Sequence, residues 1–257
     1  MPEPAPRLSD AAHAELARFS FAETTASTQD WALAEPVPAR GCALFQAGAQ
    51  TAGRGRRGRA WQSPPGATLA FTLTRGFALG LAPLAPLGLA VGVLLAEGLD
   101  ALGVPQARLK WPNDVLLDGA KLAGVLVEGM PRAGERTAVA IGVGLNLDLP
   151  DDAPIDQAFT DLRRAGCAQP AAAVRDALLD ALLPGLALFE REGFAAFHAR
   201  FEARDALRGQ PVRVLQANAQ ADDGVALGIS IDGALRVRHG SVERLHRGGE
   251  VSVRVAA

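Results

Sequence analysis

The sequence predicts an α/β (α+β) domain that is followed by a small all-β domain. Patterns typical of strands and of helices alternate along the chain to about residue 207. From Gly209 onward, short apolar alternations are separated by the turn dipeptides Asp223-Gly224 and Asp232-Gly233. The chain has 257 residues, of which 49% are hydrophobic, so it can bury a core and is not a disordered protein.

The elements of the first half follow from caps, alternation and turn residues. They are a helix over 9–19 with a serine cap, a helix from Ser27 or Thr28 to 34, a strand over 42–47, a loop over 48–66, a strand through 69–73 and a helix from about 86 to 102. Residues 77–96 carry no charge over a membrane-spanning length. Because this stretch contains prolines and glycines and lacks flanking positive charge, we interpret it as a loop and a buried helix.

The second half predicts strands, then helices, then strands again. They are an extended segment over 108–117, a hairpin turn at Asp118-Gly119, strands over 122–128 and 137–145, and helices within 154–170, over 171–192 with a break or kink at Pro184, and over 193–204. The segment after residue 209 is too short for much more than a small barrel or a sandwich. We therefore divide the chain into an N-terminal extension (1–22), a first domain (23–207) and a small second domain (208–257).

Composition excludes several classes of protein. The net charge of −2 gives no general attraction to nucleic acid or to an acidic membrane. The two cysteines, Cys42 and Cys167, lack metal-ligand spacing and favour a reducing compartment. Residues 1–8 lack the apolar core of a signal peptide, so we expect a cytoplasmic protein. Lysine occurs only at Lys110 and Lys121, which indicates either a requirement for lysine or chance survival in an arginine-rich chain.

The most unusual segment is Gly53-Arg54-Gly55-Arg56-Arg57-Gly58-Arg59. It matches G-x-G-x-x-G, but the two prolines of residues 60–66 prevent the helix that a dinucleotide fold requires. Four arginines on glycine hinges suit a phosphate, and a solvated basic turn is the alternative. Trp61 offers an aromatic face to a nucleobase, or is an ordinary core tryptophan.

Polar side chains also cluster beside the later strands. One cluster is Lys110-Trp111-Pro112-Asn113-Asp114, which forms either part of a functional site or an edge strand with polar ends. Asp114 could contact a metal ion, but one carboxylate does not define a metal site. In a regular strand Lys121 shares a face with Ala123, Val125 and Val127, so it would be partly desolvated and seek a phosphate or carboxylate, or else extend to solvent.

A bare strand face is predicted near residue 144. Gly142, Gly144 and Asn146 share one face of the strand, and Ile141, Val143 and Leu145 share the other. Glycines in a strand occur where a ligand or another backbone comes close, and a packed helix is the competing explanation.

Together these segments resemble the successive motifs of biotin–protein ligases. The resemblance rests on residues 50–61, 110–114, 121–128 and 142–146, in this order, and on Ser27-Thr28-Gln29, which has glutamine where the family has asparagine. It covers nearly the whole chain from about Thr24. It implies a catalytic domain with a mixed sheet, followed by a small β-barrel.

The resemblance also implies the roles of individual residues. Biotin would contact Ser27, Thr28, Gln29, Gln50, Arg54, Gly55, Arg56 and Lys121. ATP would contact Arg54, Arg57, Arg59, Trp61, Lys110, Asn113, Lys121 and Asn146. Arg56 and Lys121 would be the catalytic residues that stabilise charge on the phosphoryl oxygens. Mg²⁺ would accompany ATP, with Asp114 as a candidate ligand.

The implied reaction is ATP-dependent biotinylation of a lysine on a biotin carboxyl carrier protein, through biotinyl-5′-AMP. The nearest alternative is a lipoate–protein ligase, and the arginine-rich loop and the serine-threonine element favour biotin. Only 26 residues precede Ser27, too few for a helix-turn-helix domain, so we expect no specific DNA binding. A non-catalytic biotin-binding module is a further alternative, and the presence of Lys121 counts against it. We expect no membrane partner, and whether the chain forms a homodimer is left open.

Overall fold

A computed structural model describes residues 3–130, 136–155, 157–216, 221–248 and 251–255. Its larger sheet has seven strands: β1 (Leu16–Thr25), β2 (Cys42–Gln50), β3 (Thr68–Phe77), β4 (Arg108–Lys110), β5 (Asp114–Leu117), β6 (Ala120–Gly129) and β7 (Thr137–Asn146). Their order is β1-β2-β3-β7-β6-β5-β4. The pair β1/β2 is parallel and the other pairs are antiparallel, so the expected mixed sheet is confirmed.

The helices divide between the two faces of this sheet. They are α1 (Asp10–His13), α2 (Thr28–Leu33), α3 (Leu81–Leu84), α4 (Leu87–Ala101), α5 (Ala171–Glu192) and α6 (Ala195–Glu202). Helices α4 and α5 pack on the face that carries Ile141, Val143 and Leu145, where the main hydrophobic core lies. Helix α2 lies on the other face, which leaves space around the glycines of β7 for a cavity.

The apolar helix predicted from residue 86 forms the centre of the core. Within the part of the chain that the structure describes, Leu81–Ala101 is the one stretch long and apolar enough to cross a membrane, and 67% of its apolar window is buried inside the fold. Glycines bring α4 and α5 close together, since a Cβ at Gly185 would lie 2.3 Å from Leu94 Cδ2. Helix α5 continues through Pro184, so the helix does not break there, and the alternative of a kink at Pro184 stays a prediction.

Two predicted helices need correction. The helix predicted over 9–19 covers only Asp10–His13, with Ser9 as its cap. Strand β1 follows, because the residues from Leu16 onward pair with β2. Strand β1 therefore runs across residue 22, where we placed the end of an extension. The described part of 154–170 contains no helix, because its backbone bonds to Lys121 instead: Lys121 N donates to Ala158 O (3.0 Å) and Thr160 N donates to Lys121 O (3.0 Å).

The second sheet is all-β, as predicted. Its strands are β8 (Pro211–Gln216), β9 (Ala221–Ile229), β10 (Leu235–His239), β11 (Val242–His246) and β12 (Val251–Val255), in the antiparallel order β11-β10-β9-β8-β12. The barrel is not closed, since β11 and β12 do not pair within the described ranges. Closure needs strands long and tilted enough to bring the edges together, and β10, β11 and β12 have five residues each.

Candidate active site

A cavity of about 740 Å³ lies on the glycine face of the large sheet, between α2, the loop after β2 and strands β4 to β7. All the side chains singled out from the sequence line it: Ser27, Thr28, Gln29, Gln50, Arg54, Gly55, Arg56, Arg57, Arg59, Trp61, Lys110, Asn113, Asp114, Lys121 and Asn146. Four segments far apart in the chain thus meet at one place. Their individual roles stay predictions.

The floor of the cavity is the predicted bare strand face of β7. A Cβ at Gly144 would lie 2.3 Å from Trp61 Cε2, and one at Gly142 would lie 2.6 Å from Gln29 Oε1. The glycines therefore admit two side chains of the protein itself: Gln29 of helix α2, which packs against β7 at Gly142, and Trp61 of the loop after β2, which lies over Gly144. Trp61 is thus placed by the backbone of β7 beside the open part of the cavity.

One wall is the start of α2. Ser27 caps this helix, because its hydroxyl accepts hydrogen bonds from Gln29 N (3.2 Å) and Asp30 N (3.4 Å). The Thr28 amide donates to Gln50 Oε1 (2.8 Å), as does the Thr28 hydroxyl (3.1 Å). Since a backbone N–H can only donate, Gln50 must turn its oxygen towards Thr28. The amide nitrogen of Gln50 then faces Gly53, where a Cβ would come within 2.9 Å of it.

A buried threonine that the sequence analysis missed connects this wall to the sheet. The Thr72 hydroxyl, on β3, lies 3.0 Å from Thr28 Oγ1 and 3.2 Å from Gln29 Oε1. Gln29 Nε2 donates to Ala140 O at 3.4 Å, so the longer side chain lies against β7, above Gly142. Nothing in the alternation of threonines along β3 distinguishes Thr72 from its neighbours.

Lys121 lies in the opposite wall with a carboxylate as its partner. Its Nζ is 2.8 Å from Asp114 Oδ1 and 5.4 Å from the centre of the Trp61 ring. The expectation that Lys121 shares a face with Ala123 and Val125 is wrong. A β-bulge between β5 and β6 pairs Leu116 with Lys121 but Val115 with Ala123, and the extra residue turns the lysine into the cavity.

The arginine-rich loop folds back on itself over the cavity. Gly55 N donates to Arg59 O (2.8 Å) and Trp61 N donates to Gly53 O (2.8 Å), with a 3₁₀ turn (Arg56–Gly58) at the tip. Gly58 has φ +73°, a left-handed conformation that favours glycine.

Arg56 reaches from the loop to both domains. Its guanidinium donates to Asn113 Oδ1 (3.1 Å) and to Gly248 O, beyond β11. Burial lowers the pKa of Arg56, and the nearby Asp114 carboxylate opposes this effect. Arg56 and Lys121 thus flank one carboxylate.

Arg54 has a different environment. Its guanidinium donates to Asp30 Oδ1 on α2 (2.7 Å) and to Glu128 Oε1 on β6 (2.7 Å). Burial works against its charge, but the hydrogen bonds that it donates to these two carboxylates raise the pKa of Arg54. The predicted contacts of its side chain with biotin and ATP stay predictions.

The remaining wall comes from the segment after β7, which the sequence analysis assigned to a helix. Pro154, Ile155, Gln157 and Phe159 line the cavity. Asn146 holds this segment in place, since its Nδ2 donates to Thr160 O (2.9 Å) and to Lys121 O (3.2 Å).

The metal chemistry of the cavity is limited by its ligands. Among the described residues no group of three or more His, Cys, Asp or Glu side chains could hold a metal ion. Asp114 is one carboxylate next to Lys121. This suits an ion such as Mg²⁺, which is commonly held by one or two carboxylates together with substrate phosphates.

Comparison with known proteins agrees with this geometry. Residues 25–146 match the family described as the biotin/lipoate A/B protein ligase family. The bifunctional ligase/repressor BirA of Escherichia coli (strain K12) is 35% identical over 209 residues, which is 80% of this chain and 65% of that protein. The chain thus spans less than two thirds of that relative. The biotin--[acetyl-CoA-carboxylase] ligase of Paracoccus denitrificans is 35% identical over 221 residues, 83% of this chain and 91% of that protein.

A solved structure has the same fold over nearly the whole chain. It is the biotin protein ligase from Aquifex aeolicus in complex with biotin and ATP. The TM-score is 0.78 at 26% identity, and the match covers 93% of this chain and 100% of that one.

Proposed function

The chain belongs to the biotin/lipoate A/B protein ligase family, and we propose that it is an ATP-dependent biotin–protein ligase. It joins biotin to ATP to give biotinyl-5′-AMP and pyrophosphate, and then passes biotin to a lysine of a biotin carboxyl carrier protein. The observation that carries the proposal is the convergence of four motif segments on one cavity that presents Lys121 and Arg56 together. The name of the Paracoccus relative supports an acetyl-CoA carboxylase as the source of the carrier.

The first step brings two anions together. A carboxylate oxygen of biotin attacks the α-phosphorus of ATP, the bond to the β-phosphate oxygen breaks, and pyrophosphate leaves. Holding the two reactants in line contributes about 7–11 kcal/mol in well-oriented reactions. Lys121 and Arg56 supply positive charge where negative charge grows on the phosphoryl oxygens. Because Lys121 already pairs with Asp114, an incoming anion must share or replace that carboxylate.

The cavity offers separate groups to the two substrates. Ser27, Thr28 and Gln50 supply donors and acceptors for the ureido ring of biotin, and the amide of Gln50 has its nitrogen free of Thr28. Arg57, Arg59, Trp61, Lys110, Asn113 and Asn146 lie on the side that we assign to ATP. Asp114 is the carboxylate that would hold Mg²⁺ together with the phosphates of ATP, where the ion would supply positive charge.

The second step is acyl transfer. The amine of the carrier lysine, once deprotonated, attacks the carbonyl carbon of the mixed anhydride, an amide bond forms and AMP leaves. The arginine-rich loop shields the anhydride from water until the carrier binds. We place the enzyme in the cytoplasm, in keeping with two cysteines that form no disulfide.

The test is ATP–pyrophosphate exchange by the purified chain with biotin, with lipoate and without acid. We expect exchange that depends on biotin, followed by incorporation of biotin into a carrier domain of acetyl-CoA carboxylase. Exchange that depends on lipoate would instead assign the chain to the lipoate branch of the family. If neither biotin nor lipoate supports exchange, the proposal is contradicted.

A further inference from the structure

We propose that Arg54 is a positioning residue that clamps the arginine-rich loop to helix α2 and strand β6, and so retains the adenylate until the carrier arrives. This inference rests on the proposed biotin–protein ligase function. It gives Arg54 a partner on each side of the loop, Asp30 and Glu128, and neither of these carboxylates was given a role from the sequence.

The geometry of the clamp connects three elements. One guanidinium makes two charge-assisted hydrogen bonds of 2.7 Å, to Asp30 on α2 and to Glu128 on β6. An arginine can make both bonds at once because its donors form a planar fork, which a lysine lacks. The loop can therefore lift from the sheet only if both bonds break.

The charges of the loop explain why a clamp is needed. Arg57 and Arg59 act to lower the pKa of Arg56, which means that the cations of the loop repel one another. Arg54 is the loop arginine with a carboxylate on two sides. Its ion pairs offset part of the repulsion and hold the loop down, and neither Asp30 nor Glu128 is among the residues that line the main cavity.

The two anchors belong to the two walls of the site. Asp30 follows Thr28 and Gln29 on α2, where biotin is proposed to bind. Glu128 lies on β6, the strand that carries Lys121 and Gly124. The clamp therefore couples loop closure to the spacing between the biotin wall and the lysine wall.

The experiment measures the leak of biotinyl-5′-AMP into solution when no carrier is present, beside ATP–pyrophosphate exchange. The variants are Asp30→Asn, Glu128→Gln, their double, and Arg54→Lys. The matched control is Glu35→Gln, which removes the comparably exposed pair Arg18–Glu35. Exposed ion pairs contribute about 0.2–1 kcal/mol each, so we expect each single variant to leak about 1.4–5-fold faster and the double variant about 2–30-fold faster. The control should leak at the normal rate.

The salt dependence of adenylate leak is a second measurement, and a merely structural role of Arg54 would not change it. Raising the ionic strength should speed the leak of the parent, because salt screens half-exposed pairs, and should change the leak of the double variant much less. Normal leak and normal salt dependence in the double variant would overturn the clamp. Failure of the parent to exchange pyrophosphate with biotin would overturn the proposed function instead, so the two failures are distinguishable.

Discussion

Lys121 and Lys110 are the two lysines in a chain that otherwise uses arginine for positive charge. Lys121 lies between the Asp114 carboxylate and the face of Trp61, in a space that the bulge of β6 opens towards the cavity. An ammonium is a compact, strongly hydrated point charge, whereas a guanidinium is a larger planar fork whose donors point in fixed directions.

We expect Lys121→Ala to slow adenylation about 10²–10³-fold, by analogy with the removal of one oxyanion donor. Lys121→Arg should also be slow, because a planar fork does not sit where a point charge bridges two anions. Single-turnover formation of biotinyl-5′-AMP measures both variants, with circular dichroism to show that they fold. Near-normal rates for Lys121→Arg would show that the survival of lysine here is chance.

The two cysteines differ sharply in environment. Cys42 is fully buried in β2, and burial raises the pKa of its thiol to about 11, although the nearby Arg75 opposes the shift. Cys167 is half-buried, after β7. The thiolate is the reactive form of cysteine, so Cys42 should be inert at neutral pH.

We therefore expect a thiol reagent to modify one cysteine of the native protein rapidly at pH 7–8, and peptide mapping to identify it as Cys167. Cys42 should react only after unfolding, or as the pH rises towards 11. Cys167→Ser is the control, since it should abolish the fast phase. Rapid modification of two thiols per native chain would contradict the burial of Cys42.

Individual strands and helices show where the sequence was sufficient to predict the secondary structure and where it was not. The strands through residues 69–73 and 137–145 were predictable because apolar and small residues alternate, and the helix from residue 86 because it is uniformly apolar. The bulge at Lys121 was not predictable, since one extra residue in β6 leaves no trace in the alternation. The same holds for the segment around Phe159, whose backbone partner lies far away in sequence at Lys121.

The residues that line the cavity were predictable from local motifs, and their roles stay predictions. These motifs contain unusual residue combinations, whereas supporting residues such as Thr72 and Asp30 are ordinary polar residues in ordinary elements. Their importance comes from contacts between distant segments, which local patterns do not encode. Likewise, the first four residues of β1 were predicted as the end of a helix, because the pairing of β1 with β2, and not its own pattern, decides its structure.

The arginine-rich loop is the element for which we predict a change on ligand binding. The amides of Gly55 and Trp61 already donate to carbonyls across the loop, but ordering a glycine-rich tip costs roughly 1–2 kcal/mol per residue. We expect hydrogen exchange to be slow at these two amides in the free protein and fast over the tip, Arg56–Gly58. Biotinyl-5′-AMP, which adds a phosphate, should protect the tip more than biotin does. Complete protection of the tip without ligand would identify a preformed turn.

At the scale of the whole molecule, the second sheet completes the surroundings of the cavity. Val253 of β12 lines it, and the carbonyl of Gly248 accepts a hydrogen bond from Arg56. The turn between β9 and β10 packs at the start of α4, where Gly233 has φ +80° and a Cβ would lie 2.6 Å from Pro86 Cβ. The second sheet is therefore fixed close to the loop that covers the site.

Trp111 makes the hydrogen bond on which this attachment depends most directly. Its side chain is 1% exposed, and its Nε1 donates to Gly233 O at 3.0 Å. Trp111→Phe keeps an aromatic ring but removes this part-buried hydrogen bond, which contributes about 0.5–1.5 kcal/mol. We expect a lower urea midpoint with little change in slope, and faster proteolysis between α6 and β8. Adenylate leak should rise as well, because Gly248 supports Arg56. Trp31→Phe is the control. Trp31 packs edge-on against Phe45 in a separate cluster, with the ring centres 5.3 Å apart, so this substitution should leave proteolysis between α6 and β8 unchanged. If Trp111→Phe lowers stability but changes neither proteolysis nor leak, the second sheet is attached by its other contacts and Trp111 serves only the core.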